Sequence, residues 1–277
     1  MSKEYLDGVG TMQVSVIIGS YRPGKCLYRC IKSLAKQTVS PDEIIIGVDS
    51  IQDDPYIQTE PEIPCKFVAS GKTGVSSARN AACQQAKGDI FAFIDDDATA
   101  EPDWIEQVHH VFEDPIISCA GGPVLPVFER GTIPEQWYWL IGCTGISKRP
   151  ICSNMAIRRS DFVLQGGFAE NLGRIKRNLT IGEETELILN LEESNKKILW
   201  EPEMVVHHWC PNHRTQLSYI ISRAYNEGIG KAIIKKRHPL ELEQMFLTHY
   251  LTHPDKYTVP VLLATGLGFI QGCLKGE

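Results

Sequence analysis

At 277 residues, with 43% hydrophobic and 22% charged side chains, the chain is long enough for one large α/β domain or two small ones. The composition is that of a globular protein, and a net charge of −6 sets aside nucleic acid as the main partner. Nine cysteines, odd in number and scattered without a Cys-x-x-Cys pair, fit reduced thiols in a cytosolic setting and not a disulfide framework.

Met1–Thr11 is short and polar, so no secretory leader is expected. Val14–Ile18 reads as a buried strand and Gly19–Gly24 as the loop after it. Lys25–Gln37 repeats apolar residues at helical spacing, with Leu27, Cys30, Ile31 and Leu34 on one face. Ile44–Val48 is a second strand ended by Asp49, and Cys65–Ala69 a third. Ser76–Ala86 is a helix with Gly88 as its stop, and Ile90–Ile94 is a fourth strand. Apolar strands alternating with helices predict an α/β fold with a mostly parallel sheet covered on both faces. Ligands bind such sheets beyond the carboxyl ends of the strands. Ser20-Tyr21, Asp49 and the triplet Asp95-Asp96-Asp97 all fall on that rim.

The triplet concentrates negative charge at one strand tip, which is costly unless something cationic neutralises it. A divalent ion bound to a diphosphate is the simplest answer, because hard cations take carboxylate and phosphate oxygens together. A solvated acidic turn is the plain alternative. Ala98–Pro102 reads as the turn that follows.

Beyond it, Pro102–Phe112 is a helix and Ile116–Ala120 a strand. Val127–Pro150, with Trp137-Tyr138-Trp139, reads as a long loop. Ile151–Ile157 is a strand, Ser160–Leu164 a short helix and Gly166-Gly167 a turn. Glu183–Ser194 is a helix, Met204–His207 a strand and Thr215–Lys235 a long polar helix. The basic run Lys235-Lys236-Arg237-His238 reads either as a solvated face or as a contact for an anionic membrane surface or a lipid phosphate. Val259–Ile270 is apolar but too short to span a bilayer; it is either a packed helix or an interfacial segment.

The ordered set now in view is Val14–Gly24, Asp49, Ala78-Arg79-Asn80 after a Gly71–Gly74 loop, Asp95-Asp96-Asp97, Gly166-Gly167-Phe168 and Gly182-Glu183-Glu184. It resembles the family 2 glycosyltransferases, inverting enzymes with a GT-A fold, the Rossmann-like fold of nucleotide-diphospho-sugar transferases. The resemblance covers residues 12–230, with a nucleotide-binding half at 12–100 and an acceptor half at 101–230. Residues 231–277 read as a C-terminal helical extension, either packed on the body or lying at a membrane. It implies a metal-dependent transfer of a sugar from a nucleoside diphosphate donor, UDP-linked by expectation, to a hydroxyl acceptor on a glycan or lipid-linked sugar. The implied location is the cytoplasm, at the inner membrane face.

The resemblance also assigns roles. Ser20 and Tyr21 hold the nucleobase, and Asp49 accepts a hydrogen bond from the uracil imide. Arg79, near a glycine loop and a helix N-terminus, favours an anionic nucleotide. Asp95 contacts the ribose, Asp97 binds Mn²⁺ or Mg²⁺, and Asp96 supports them or touches the sugar. Glu184 is the general base with Glu183 beside it, where the family usually has Glu-Asp. Helix-start acids answering the macrodipole are the plain reading of that pair. A histidine of the family completes the metal site or touches the phosphate here, and counting back from Pro211 and Arg214 favours His208; neighbours on a strand face opposite ways, so His207 and His208 cannot both bind one metal. Arg214, His213 and Arg223 are weaker phosphate contacts. Asn154 lies near the donor sugar, Gly167 and Arg174 form the floor of the acceptor site, and Trp137 and Trp139 stack on sugars or anchor their loop. Two other readings are a non-catalytic nucleotide-sugar-binding scaffold and a sugar-phosphate nucleotidyltransferase. The first loop lacks the repeated glycines of the latter.

Overall fold

The computed structural model describes residues 12–21, 24–50, 64–173, 181–238 and 248–275. In chain order the elements are β1 (Val14–Ser20), α1 (Lys25–Leu34), β2 (Glu43–Val48), β3 (Lys66–Ala69), α2 (Val75–Gln85) and β4 (Ile90–Phe93). There follow β5 (Ala98–Ala100), α3 (Trp104–Phe112), β6 (Ile117–Gly121), β7 (Val124–Phe128) and a 3-10 segment Glu135–Ile141. Then come β8 (Met155–Arg158), α4 (Arg159–Leu164), α5 (Glu183–Glu193), β9 (Lys197–Trp200), β10 (Val206–Cys210), α6 (Leu217–Ile234) and α7 (Thr258–Lys275).

The main sheet has the order β3-β2-β1-β4-β8-β6-β9. Its first four strands are parallel, β8 is antiparallel to both neighbours, and β9 runs parallel to β6. The strands are apolar on both faces because both faces are covered. Val16, Ile18 and Ile46 pack with Leu27 and Ile31 of α1 and with Trp104 and Val108 of α3. Ile17, Ile45 and Phe93 pack on the other face with Ala82 of α2 and Leu187 of α5. Helix α2 lies so close to β2 that a Cβ at Gly47 would sit 1.9 Å from the Ala78 carbonyl oxygen. That approach carries the start of α2 to the carboxyl rim.

A second sheet, β5-β10-β7, stands beyond the triplet. It corrects two readings. Residues 98–100 are a strand paired with β10, and the expected long loop overlaps the end of β7, which also pairs with β10, and holds the 3-10 segment Glu135–Ile141. Strand β9 is absent from the sequence reading altogether. The strand expected at Ile151–Ile157 shrinks to β8, since Ile151 and Asn154 form a tight isolated bridge before it. Gly88 lies past the C-cap residue Ala86 and is pressed against Ser15. The division at residue 230 falls inside α6, which packs along α7, so the last helix is built onto the body. Among the described residues no helix is long and apolar enough to cross a membrane.

Candidate active site

The ends of β1, β2 and β4 meet the starts of α2 and α5 around a cavity of about 460 Å³. Tyr21, Asp49, Arg79, the three aspartates and both glutamates line it. Tyr21 stands 54% exposed at its edge. Asp49 accepts a hydrogen bond from the Gly74 N–H at 3.2 Å, tying the glycine loop to the end of β2. Gly71 and Gly74 have φ of +68° and +140°, a region that side chains rarely allow.

The acids of the triplet take separate partners. Asp95 Oδ1 accepts from Arg79 Nη2 at 2.6 Å, and its Oδ2 accepts from the Ser153 hydroxyl at 2.6 Å. Asp96 accepts from the Ser20 hydroxyl. Asp97 accepts from Arg214 Nη2 at 2.7 Å and lies 2.9 Å from His208 Nε2. Arg79 also reaches Glu183 Oε1 at 3.0 Å, so one buried guanidinium joins the tip of β4 to the first turn of α5. The charge density that called for an external cation is answered in part by Arg79, Arg214 and His208.

Burial works to raise the Asp95 carboxyl, but Arg79 overcomes it and holds the group below the ordinary carboxylate range. Burial, and then the Asp97 charge, push Asp96 up to about 7. Burial works against a charged His208, and Asp97 outweighs it, raising the imidazole to about 10. On its other nitrogen His208 faces the Cys143 and Cys210 sulfurs at 3.8 and 3.9 Å. The hydrogen bond from Cys143 holds the Cys210 thiol down to about 5.

Carboxylate oxygens of Asp95 and Asp97 and a ring nitrogen of His208 all lie within 4.8 Å of one another. Two hard oxygens with one imidazole form a donor set that suits Mn²⁺ and serves Mg²⁺. The site therefore fits a divalent ion. Glu184 stands at the cavity wall, pushed up to about 8 by burial and then by the Glu183 charge. Arg214 Nη1 and Glu183 Oε2 are buried with no hydrogen-bond partner among the described residues, and both side chains line the cavity.

Three expected residues stand elsewhere. Trp137 is wholly buried, stacked on Tyr250 with centroids 4.6 Å apart, and donates its indole N–H to Asp255 at 2.7 Å. It is a loop anchor with no face for a sugar; Trp139 lines the cavity instead. Asn154 is also wholly buried, accepting from Trp104 and donating to the Pro123 and Met204 carbonyls. Its neighbour Ser153 is the cavity residue, and the sequence carried no signal for it. Gly167 turns at φ +79° beside Asn80, whose amide clasps both backbone groups of Phe168, so it shapes the chain outside the cavity. Arg174 lies outside the described residues. Of the weaker phosphate candidates, Arg214 and Arg223 line the cavity, while His213 packs edge-on to Tyr219.

Comparison with known proteins agrees with this arrangement. Residues 15–162 match the model described as glycosyl transferase family 2. The chain is 28% identical over 250 residues to a glucosyl-dolichyl phosphate glucuronosyltransferase of Haloferax volcanii, covering 82% of this chain and 79% of that protein. Its fold resembles the mannosyltransferase PcManGT from Pyrobaculum calidifontis, solved with GDP-Man and Mn²⁺, at a TM-score of 0.64 and 16% identity over 97% of this chain and 77% of that one. It also resembles S. aureus TarS 1-349 in complex with UDP, at a TM-score of 0.55 and 16% identity over 95% and 81% of the two chains.

Proposed function

We propose a reaction from one premise: the chain belongs to glycosyl transferase family 2 and is a glycosyltransferase with a GT-A-type fold. The reading is an inverting transfer of a sugar from a nucleoside diphosphate donor, UDP-linked, to the hydroxyl of a lipid-linked glycan. The observation that carries it is the shared wall of one cavity. Asp95 and Asp97, which form a donor set with the buried His208 behind them, line it together with the raised carboxyl of Glu184.

The acceptor oxygen attacks the anomeric carbon as the bond to the diphosphate breaks, and its proton passes to the Glu184 carboxylate. Glu183, held by Arg79, keeps a negative charge beside Glu184 that favours uptake of that proton. Asp95, Asp97 and His208 would hold Mn²⁺ or Mg²⁺, which supplies charge stabilisation for the departing diphosphate. The unpartnered Arg214 nitrogen supports a further phosphate contact. Asp49 and Tyr21 suit a nucleobase: a carboxylate accepts from the imide N–H of uracil, and a phenol ring gives a stacking face. Asp96 and Ser20 stay paired and keep the loop after β1 against the triplet.

The lipid-linked acceptor rests on the Haloferax volcanii relative, whose name specifies a glucosyl-dolichyl phosphate. An acceptor of that kind sets the enzyme at the inner face of a membrane. The reading is tested by measuring release of UDP or GDP from a panel of nucleotide sugars, with Mn²⁺, Mg²⁺ or chelator, on membranes containing lipid-linked glycans. Mn²⁺-dependent release of UDP is expected. Release from no nucleotide sugar under any condition would overturn it.

A further inference from the structure

Between Thr258 and Leu274 helix α7 carries no Asp, Glu, Lys or Arg. Its inner side packs so tightly on α6 that a Cβ at Gly268 would lie 1.8 Å from the Tyr225 carbonyl oxygen. Its outer side presents Val259, Leu263, Leu267, Ile270 and Leu274, each between 58% and 66% exposed. That spacing is one continuous stripe along the helix. A helix face meant for water carries charge or polarity, and this one has neither.

Lysines lie beside the stripe, while Asp255 before the helix is taken up inside, accepting from the Trp137 indole and the Tyr257 N–H. Lys235 Nζ sits 5.2 Å from the centre of the Phe269 ring, and Lys256 Nζ 5.0 Å from that of Tyr257 just before the helix. An uncharged apolar stripe with one lysine beside it and another just before the helix complements a layer of anionic headgroups over hydrocarbon. A second copy of the chain offers that pattern no negative counterpart on this helix.

The same helix roofs a second cavity of about 610 Å³ between α5, α6 and α7. Ile188, Leu189, Ile234, Tyr250, Leu262 and Thr265 line it. Ile181, Gly182 and Thr185 line both cavities, so the apolar space opens beside Glu184. Lys231 and Arg149 stand in its wall, 3.3 and 2.8 Å from Glu227 and Glu192. Glu192, Glu193, Glu227 and His238 share that wall, so a phosphate joined to a hydrocarbon chain would draw Lys231 and Arg149 from their carboxylates while its chain fills the apolar remainder.

We propose that α7 is a two-faced lipid element: its outer stripe rests on an anionic bilayer, and its inner face roofs the site for the chain of a polyprenyl-phosphate-linked acceptor. Delivery of the acceptor hydroxyl to Glu184 rests on the function proposed above; the two lipid contacts do not require it.

The test therefore reads binding, separately from transfer. The full chain is sedimented with vesicles of phosphatidylcholine alone or mixed with phosphatidylglycerol. Sedimentation with the anionic vesicles is expected, and Leu263→Glu with Leu267→Glu should weaken it by about tenfold or more, as apolar burial scales such binding. Both residues face solvent, so the variant keeps its fold, as a melting curve checks. Calorimetry with farnesyl phosphate and with inorganic phosphate then probes the cavity. Farnesyl phosphate alone should bind, and Thr265→Trp or Leu189→Trp should each abolish it by filling the space. Absence of vesicle binding, binding indifferent to the stripe variant, a dimer in light scattering that the same variant dissolves, or equal affinity for the two phosphates would each overturn the proposal. Lipid binding without sugar transfer to any acceptor would sink the transferase reaction instead and leave α7 as a lipid element.

Discussion

Glu184 is a carboxyl held in two environments at once, open to a cavity yet beside a second acid. With its carboxyl raised to about 8, the base is mostly protonated at neutral pH when the donor is absent. kcat/KM should rise with pH through an apparent pKa near 8, as a pH series of donor turnover will report. Glu184→Gln should lower turnover by about 10²- to 10⁴-fold while nucleotide affinity stays unchanged. Full turnover in that variant would remove Glu184 as the base. The same shift has a stability sign. The folded carboxyl keeps its proton at a pH where the unfolded one, at 4.5, has lost it, so stability is fullest below 4.5 and falls as pH rises through about 8. Melting temperatures of Glu184→Gln against wild type across that window should show a steeper fall in wild type, the remaining fall in the variant coming from Asp96. Asp97→Asn should abolish the Mn²⁺-dependent part of nucleotide binding in a calorimetric titration, with any metal-independent part retained. The acids were legible because each signal sits within a few residues of the chain. Ser153 and the Arg214 pair were not, because they reach the triplet across 58 and 117 residues. Strand alternation allowed only one of the two histidines and the family resemblance pointed to His208: it is buried among the acids and thiols, while His207 turns outward to Glu101 at 2.6 Å.

At the scale of elements, Arg79 is the residue that joins α2, β4 and α5. Arg79→Ala would leave Asp95 and Glu183 buried without their cation, a loss of about 3–5 kcal/mol that chemical denaturation should resolve. Arg79→Lys should recover only part of it, since one ammonium cannot make the forked contact to two carboxylates. Gly47→Ala forces a methyl into the Ala78 carbonyl and should cost about 1–3 kcal/mol, read as a lower urea midpoint with nucleotide binding weakened as α2 moves off β2. Strands β1, β2 and β4 were legible because apolar runs buried on both faces leave no other solution, and β3, half-exposed at the sheet edge, from its short apolar run. Strand β5 is three residues long, β7 contains Pro126, and β9 begins on the exposed Lys197; each forms only because a partner strand is already there. For Trp137 the sequence left sugar stacking and loop anchoring open, and for Asn154 it pointed to the donor sugar. Only tertiary structure supplies the Asp255 carboxylate or the paired carbonyls that satisfy them from inside.

At the scale of the molecule, two cavities meet at the start of α5. A polar one stands over the carboxyl ends of the sheet, and an apolar one lies beneath α7. The architecture was legible from the order of motifs, because GT-A-type enzymes string their site along the chain in the order of their strands. The union of α6 with α7 was not, because it depends on glycine contacts between distant segments, where a Cβ at Gly228 would meet the Thr265 carbonyl oxygen at 2.0 Å. The central claim is that this cavity takes a nucleoside diphosphate with a divalent ion. Isothermal titration of the full chain with UDP and GDP, with and without Mn²⁺, tests it most directly. The account requires UDP to bind with Mn²⁺, more tightly than GDP, and to lose most of that affinity in chelator. Failure of both nucleotides to bind with Mn²⁺ present would contradict it.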